Sequence, residues 1–245
     1  MYWFVYIFFE RDLSMHIFRI RLNKKEFILW GVSEVLLVLS FMLSGSNLLL
    51  LGAAMMGVTS LILLAKGEPL GQFLTICFSV LYAVISCEQR LYSEMITYLG
   101  MTLPSAFITM IIWIKHPFEE GRSVVRVSEL NKGRIYFLMI SSPVVTLIFY
   151  YLLKTLDTPL LIISTISILT SYVASMLMFF RSRHYAIFYA LNDLVLITIW
   201  TLTSIKDTTY LPMIICFMIF FVNDSYAFLN WKSLKDEQSS LDLID

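Results

Sequence analysis

The chain has 245 residues, 58% of them hydrophobic and only 15% charged, with a mean hydropathy of +0.78 and eighteen Lys and Arg balanced by eighteen Asp and Glu. That composition excludes an ordinary soluble domain. Three cysteines without CxxC or Cys/His spacing exclude a disulfide framework or a metal-ligand set, and the lack of a Gly-rich phosphate loop or an HExxH pattern argues against nucleotide hydrolysis and zinc catalysis.

The first element is Met1–Phe9, apolar and aromatic but too short to span. It lacks the leading positive charge and small-residue cleavage site of a signal peptide, so residues 1–26 are expected to form an interfacial segment, with Met15 an alternative start. Ser14–Glu26 mixes basic and apolar residues as a membrane-surface helix does. Eight apolar stretches follow, at Phe27–Leu43, Leu48–Ala65, Pro69–Cys87, Tyr92–Ile114, Ile135–Leu153, Thr158–Phe180, His184–Leu202 and Thr209–Leu229. Each is close to the roughly 17–25 residues that cross about 30 Å of hydrocarbon as a helix. The pattern predicts an all-α integral membrane protein. The tail Lys235–Asp245 is polar and is expected to fray.

Eight spans put both ends on one side. Fifteen of the eighteen Lys and Arg fall there, and only Arg90, Lys154 and Lys206 on the other. The positive-inside bias places both termini in the cytoplasm. The long polar stretch His116–Arg134 divides the chain. Residues 27–43 form an additional first helix, 48–114 a three-helix bundle, 115–134 a cytoplasmic loop, 135–153 a linking helix, 158–231 a second three-helix bundle and 232–245 a tail. The bundles show a weak repeat at a shift of about 117–118 residues: Lys66 precedes span three as Arg183 precedes span seven, and Trp113-Ile-Lys ends span four as Trp231-Lys ends span eight. Four crossings separate spans two and six, so the repeats run parallel.

Polar residues inside the spans are candidate site residues, because a charge at mid-bilayer costs about 2.5–3.5 kcal/mol even on the lenient insertion scale. Asp193 lies in span seven beside Asn192, with Tyr185, Tyr189 and Asn192 at i, i+4, i+7 spacing and Trp200 seven residues beyond Asp193. Two readings stand: an aromatic-walled ligand site, or an interhelical polar clamp. Asn223-Asp224 repeats the dipeptide in span eight with Tyr226 nearby, as ligand contact or as gate. Gln72, Thr75, Ser79 and Tyr82 give span three a polar face that serves a ligand or helix–helix hydrogen bonds equally well. Glu94 reads as a solvated residue at the end of span four. Pro104 and Pro143 are candidate kinks, and Gly52 and Gly57 candidate points of close helix approach. Trp30, Trp113 and Trp231 fall where an interfacial aromatic belt is expected. His16, His116 and His184 have no catalytic neighbours, so no catalytic residue, metal or cofactor is expected.

Several segments together carry a family resemblance: Leu64-Ala65-Lys66-Gly67, Gly71-Gln72, Phe78-Ser79-Val80-Leu81-Tyr82, the run from Tyr92 to Pro104, Trp113-Ile114-Lys115-His116-Pro117, Asn192-Asp193 with Trp200, and Asn223-Asp224-Ser225-Tyr226 with Asn230-Trp231-Lys232. In order and spacing they resemble the PnuC-type nicotinamide riboside transporters, over most of Phe27–Lys232. The chain departs from that pattern at Tyr185 and Tyr189, where the family tends to carry Trp, and at Ala227, where it often has Gly. The resemblance implies a 3+1+3 arrangement with an added first helix, related in fold to the SWEET transporters. It further implies a homotrimer in the cell membrane that takes up nicotinamide riboside by facilitated diffusion, with a cytoplasmic kinase trapping the product. Gln72, Tyr82, Tyr185, Tyr189, Asn192, Asp193, Trp200, Asn223, Asp224 and Tyr226 become the expected substrate-binding set. A proton-coupled porter using Asp193 or Glu94, and an intramembrane sensor or enzyme, are the alternatives. No nucleic acid is expected as a partner; the lipid bilayer is.

Overall fold

A computed structural model describes residues 22–44, 48–119, 123–205 and 207–243. The expected interfacial segment up to residue 21, together with Arg122 and Lys206 from the charge count, lies outside the described residues. Among the described residues eight helices are long and apolar enough to cross a membrane. They are α1 Lys24–Ser44, α2 Leu48–Ala65, α3 Pro69–Glu88, α4 Tyr92–Lys115, α5 Lys132–Thr155, α6 Leu161–Phe179, α7 Tyr185–Ser204 and α8 Leu211–Leu241. Helix α8 is entered through a 3-10 turn at Thr208–Tyr210.

The ends of the helices are written in the sequence. Asn23 accepts from the Glu26 backbone N–H at 2.9 Å while Glu26 Oε2 accepts from the Asn23 N–H at 2.7 Å, a reciprocal capping box that starts α1. Pro69 and Pro212 begin α3 and α8, where a missing N–H costs nothing. Helices α2, α3, α5 and α6 all end the same way, with Gly67, Arg90, Asp157 and Arg181 in the left-handed region. In each the next N–H reaches back five residues, as in Glu68 to Leu63 O at 3.0 Å and Ser182 to Leu177 O at 2.9 Å. That closure satisfies the last carbonyls and reverses the chain within two or three residues.

Helix α2 packs on α3, α3 on α4, α6 on α7 and α7 on α8; the two groups meet where α8 crosses α2 and α4 crosses α6. Helix α1 leans on α2 and α8, while α5 touches α6 and buries only Leu153. Close approach of α2 and α8 needs Gly57, where an added Cβ would sit 2.4 Å from the Phe220 ring; at Gly52, by contrast, nothing lies within 4 Å. Pro143 sits within an unbroken α5. Before Pro104, α4 widens into a π-type turn at Tyr98–Thr102.

The tail differs from the fraying expected of it. Helix α8 runs on to Leu241 as 31 residues, because its extension is anchored. Gln238, buried at 6% exposure, accepts from Val127 N at 2.8 Å and donates to Val125 O at 3.0 Å. It thereby holds the loop between α4 and α5 as a strap. The strap folds on itself at Pro117 and Val125 and docks on both groups of helices. Val125 N donates to Gly67 O, and Ser128 N to Arg181 O, each at 3.0 Å. Glu129 pairs with Lys235, and Arg126 with Asp242 at 2.8 Å. The interfacial-belt reading of Trp113 and Trp231 is overturned: both are 0% exposed, with rings 5.4 Å apart. Their indole N–H groups donate to Met178 O at 3.4 Å and Leu64 O at 2.9 Å, so each finds its partner inside the bundle.

Candidate functional site

A cavity of about 60 Å³ lies where α2, α3, α4, α6, α7 and α8 converge. It is lined by Ser60, Leu61, Leu64, Gln72, Thr75, Phe78, Tyr98, Thr102, Ser105, Ala106, Thr109, Ser171, Ser175, Met178, Tyr189, Asn192, Asp193, Phe220 and Asp224. Five expected site residues are therefore together: Gln72, Tyr189, Asn192, Asp193 and Asp224. No Lys, Arg or His is among the lining residues.

The polar groups converge with capacity to spare. The carboxyls of Asp193 on α7 and Asp224 on α8 both line the cavity and lie close to one another. Asp193 Oδ2 is buried and finds no amide, hydroxyl or cationic donor. Gln72 donates Nε2 to Met178 Sδ at 2.8 Å and leaves Oε1 buried without a donor. Asn192 Oδ1 accepts from Ser167 at 3.0 Å and Thr170 at 2.9 Å, which fixes the amide and leaves its nitrogen as the donor end. Ser175 and the Tyr189 hydroxyl are 3.0 Å apart. The rings of Phe78, Phe220, Tyr98 and Tyr189 supply flat walls.

The other five expected residues lie outside the lining. Tyr82 and Trp200 form the layer above it: the Trp200 indole N–H donates to the Tyr82 hydroxyl at 2.8 Å, and the Tyr82 and Tyr98 rings are 4.3 Å apart. Phe217 and Tyr210 extend that layer, and Gln89 bonds the Tyr210 hydroxyl. Tyr185 closes the strap end instead. Its hydroxyl donates to Leu64 O at 3.3 Å and its ring stands edge-on to Trp231 at 5.0 Å. Asn223 turns toward α1, donating to Ile219 O at 2.8 Å and reaching Ser33 at 3.5 Å. Tyr226 donates to Glu26 at 3.2 Å, the same carboxylate that pairs with Lys66 at 2.8 Å. Glu94 is not solvated as expected but 1% exposed. The cavity is flanked by these two layers, and at about 60 Å³ it is well below the roughly 300 Å³ or more of a small-molecule site.

Sequence reasoning missed the α4 and α6 walls. Thr102, Ala106 and Thr109, and likewise Ser171, Ser175 and Met178, repeat at i, i+4, i+7. These two stripes of small and hydroxyl residues on one helix face were the available signal.

The family model described as nicotinamide mononucleotide transporter matches residues 47–233. Among characterised relatives, a nicotinamide riboside transporter PnuC of Neisseria mucosa is 24% identical over 192 residues, covering 76% of this chain and 73% of its own. That of Haemophilus influenzae is 22% identical over 180 residues, covering 73% and 76%. The crystal structure of the vitamin B3 transporter PnuC superposes with a TM-score of 0.79 at 22% identity, covering 89% of this chain and 94% of that one. Since the matched stretch takes in seven of the eight membrane helices and every residue of the cavity, this chain belongs to the nicotinamide mononucleotide transporter family.

Proposed function

We propose that the protein carries nicotinamide riboside across the cell membrane, binding it in the cavity between Asp193 and Asp224. The observation that carries this reading is the carboxyl pair in a lining without any basic side chain. Carboxyl oxygens suit the positive charge of a pyridinium ring, and aromatic walls add about 0.5–2 kcal/mol for a cation. A mononucleotide would bring a phosphate with at least one negative charge into the same space, against two carboxyls and with no Arg or Lys to receive it. Gln72 Oε1 and the Asn192 amide nitrogen would take the two halves of the carboxamide. The substrate site is thus assigned to Gln72, Tyr189, Asn192, Asp193 and Asp224. Tyr82 and Trp200 belong to one closing layer, and Tyr185 to the other.

The mechanism follows from those two layers. The Tyr82–Trp200 layer and the Tyr185–Trp231 layer open in turn, and the α2–α4 and α6–α8 groups rock as parallel repeats about the cavity, which widens as either layer parts. Transport is facilitated diffusion in this reading, and a cytoplasmic kinase holds the product inside. The strap end faces the cytoplasm, in keeping with its basic residues. Helix α5, buried at Leu153 alone, supports a homotrimer built on its apolar face.

The test is uptake of labelled nicotinamide riboside into proteoliposomes with no ion gradient. Uptake should stop at equal concentrations on the two sides. Nicotinamide mononucleotide should compete poorly, and Asp193→Asn and Asp224→Asn should each raise the riboside Kd about tenfold or more, roughly 1.4 kcal/mol. Equal competition by the mononucleotide would sink the charge argument.

A further inference from the structure

One buried carboxyl is not used by the cavity. Glu94 lies in the first turn of α4, at the end of the bundle away from the strap. It is 1% exposed, and neither Oε1 nor Oε2 has a hydrogen-bond partner. A structural carboxylate in a helix bundle is normally held by an N–H, a hydroxyl or a cationic side chain, because burial without one costs several kcal/mol. Packing alone gives no reason for a carboxyl here: an amide or an apolar side chain would fill the same volume at lower cost.

Its position supplies the reason. Glu94 precedes the cavity-lining Tyr98 by four residues, one turn outward on the same face of α4. Tyr82 follows the cavity-lining Phe78 by four residues, one turn outward on α3. The first turn of α4, which carries Glu94, packs on α3, which carries Tyr82. The Tyr82 and Tyr98 rings, 4.3 Å apart, are part of the layer that flanks the cavity on this side. A carboxyl and two aromatic faces in one layer is the chemistry that receives an organic cation. The π-type turn at Tyr98–Thr102 begins at one of these rings, and such turns are frequent at functional sites.

We propose that Glu94, with Tyr82 and Tyr98, forms a second cation subsite on the path between the outer mouth and the central carboxyl pair. A pyridinium entering as the aromatic layer parts meets Glu94 first and passes inward to Asp193 and Asp224. This subsite rests on the transport reading above. It makes the protein prefer the charged riboside at the entry step as well as in the cavity.

The experiment compares two probes in proteoliposomes: nicotinamide riboside and its 1,4-dihydro form, which keeps the ribose and carboxamide but carries no charge. Glu94→Gln keeps the shape and removes the charge. The expected result is a KM about tenfold higher for the cationic riboside, a change of roughly 1.4 kcal/mol, with the KM of the dihydro form unchanged. Glu94→Asp should keep the preference for the cation, which also serves if the Gln variant is not recovered folded. Equal changes for both probes, no change for either, or loss of the preference in Glu94→Asp would each overturn the subsite. If the unsubstituted protein takes up neither probe, the transport reading falls and the subsite with it. If it takes up both and Glu94 has no influence on the charge preference, the subsite alone falls.

Discussion

The side chains that matter most here are those with an unused bonding capacity. Asp193 Oδ2, Gln72 Oε1 and both oxygens of Glu94 are buried without donors, while the neighbouring Asn192 is fully committed through its oxygen. Groups that only tie helices together look different. Trp231, Tyr185 and Asn230 each end on a backbone carbonyl of Leu64 or Ala65. Leu64 O keeps bonds from Gly67 N and Tyr185, so Trp231→Phe removes one donor of three and should lower stability by about 0.5–1.5 kcal/mol, read in the detergent melting temperature, with riboside affinity little changed. Gly71 is the tightest backbone contact in the first helix group: an added Cβ would lie 2.8 Å from Leu64 N, so Gly71→Ala should force α2 and α3 apart and reduce the yield of folded protein. Glu68, just outside the membrane segments, carries a carboxyl raised above the ordinary range by burial, a bond from Ser123 and the charge of Lys66 only partly opposing this. The folded state therefore holds the Glu68 proton more tightly than the unfolded chain. The stability this contributes is present below the ordinary glutamate pKa and is lost as pH rises through the raised value. Glu68→Gln should flatten that part of a pH–melting curve.

At the scale of elements, the strap and α4 are where pattern and structure part. The helices themselves were legible: apolar stretches of membrane length between reversals such as Gly67 and Arg181 read directly as spans. The strap was not, because its residues are polar and its order comes from Gln238, more than a hundred residues away, which no local pattern announces. The same holds for the site. Gln72, Asn192, Asp193 and Asp224 stood out as polar groups in apolar surroundings. Tyr98 and Ser175 did not, since hydroxyl residues are common in membrane helices and only the crossing of α4 with α6 brings these two to one cavity. Trp200, two turns beyond Asp193 on α7, lies outside the cavity lining, in the aromatic layer with Tyr82. Gln238→Ala removes the two bonds from α8 to Val125 and Val127 and should make the strap the first proteolysed segment, with a faster opening of that end seen as a raised uptake rate.

Across the whole molecule, the cavity and the strap are joined by one rigid element. Helix α8 is about 46 Å long at 1.5 Å per residue, against roughly 30 Å of hydrocarbon, so its last ten or so residues stand clear of the membrane. Asp224 and Gln238 are fourteen residues apart, close to four full turns, and so lie near one face of a single rod. A tilt of α8 by a few degrees at the carboxyl pair becomes a displacement of some ångströms at the far end. The protruding rod is thus a pointer whose tip moves in water while the event it reports is sealed in the bilayer. A spectroscopic label on Ser240→Cys, in a chain with Cys77, Cys87 and Cys216 replaced, should shift when riboside is added and need about tenfold more riboside to shift in the Asp224→Asn background.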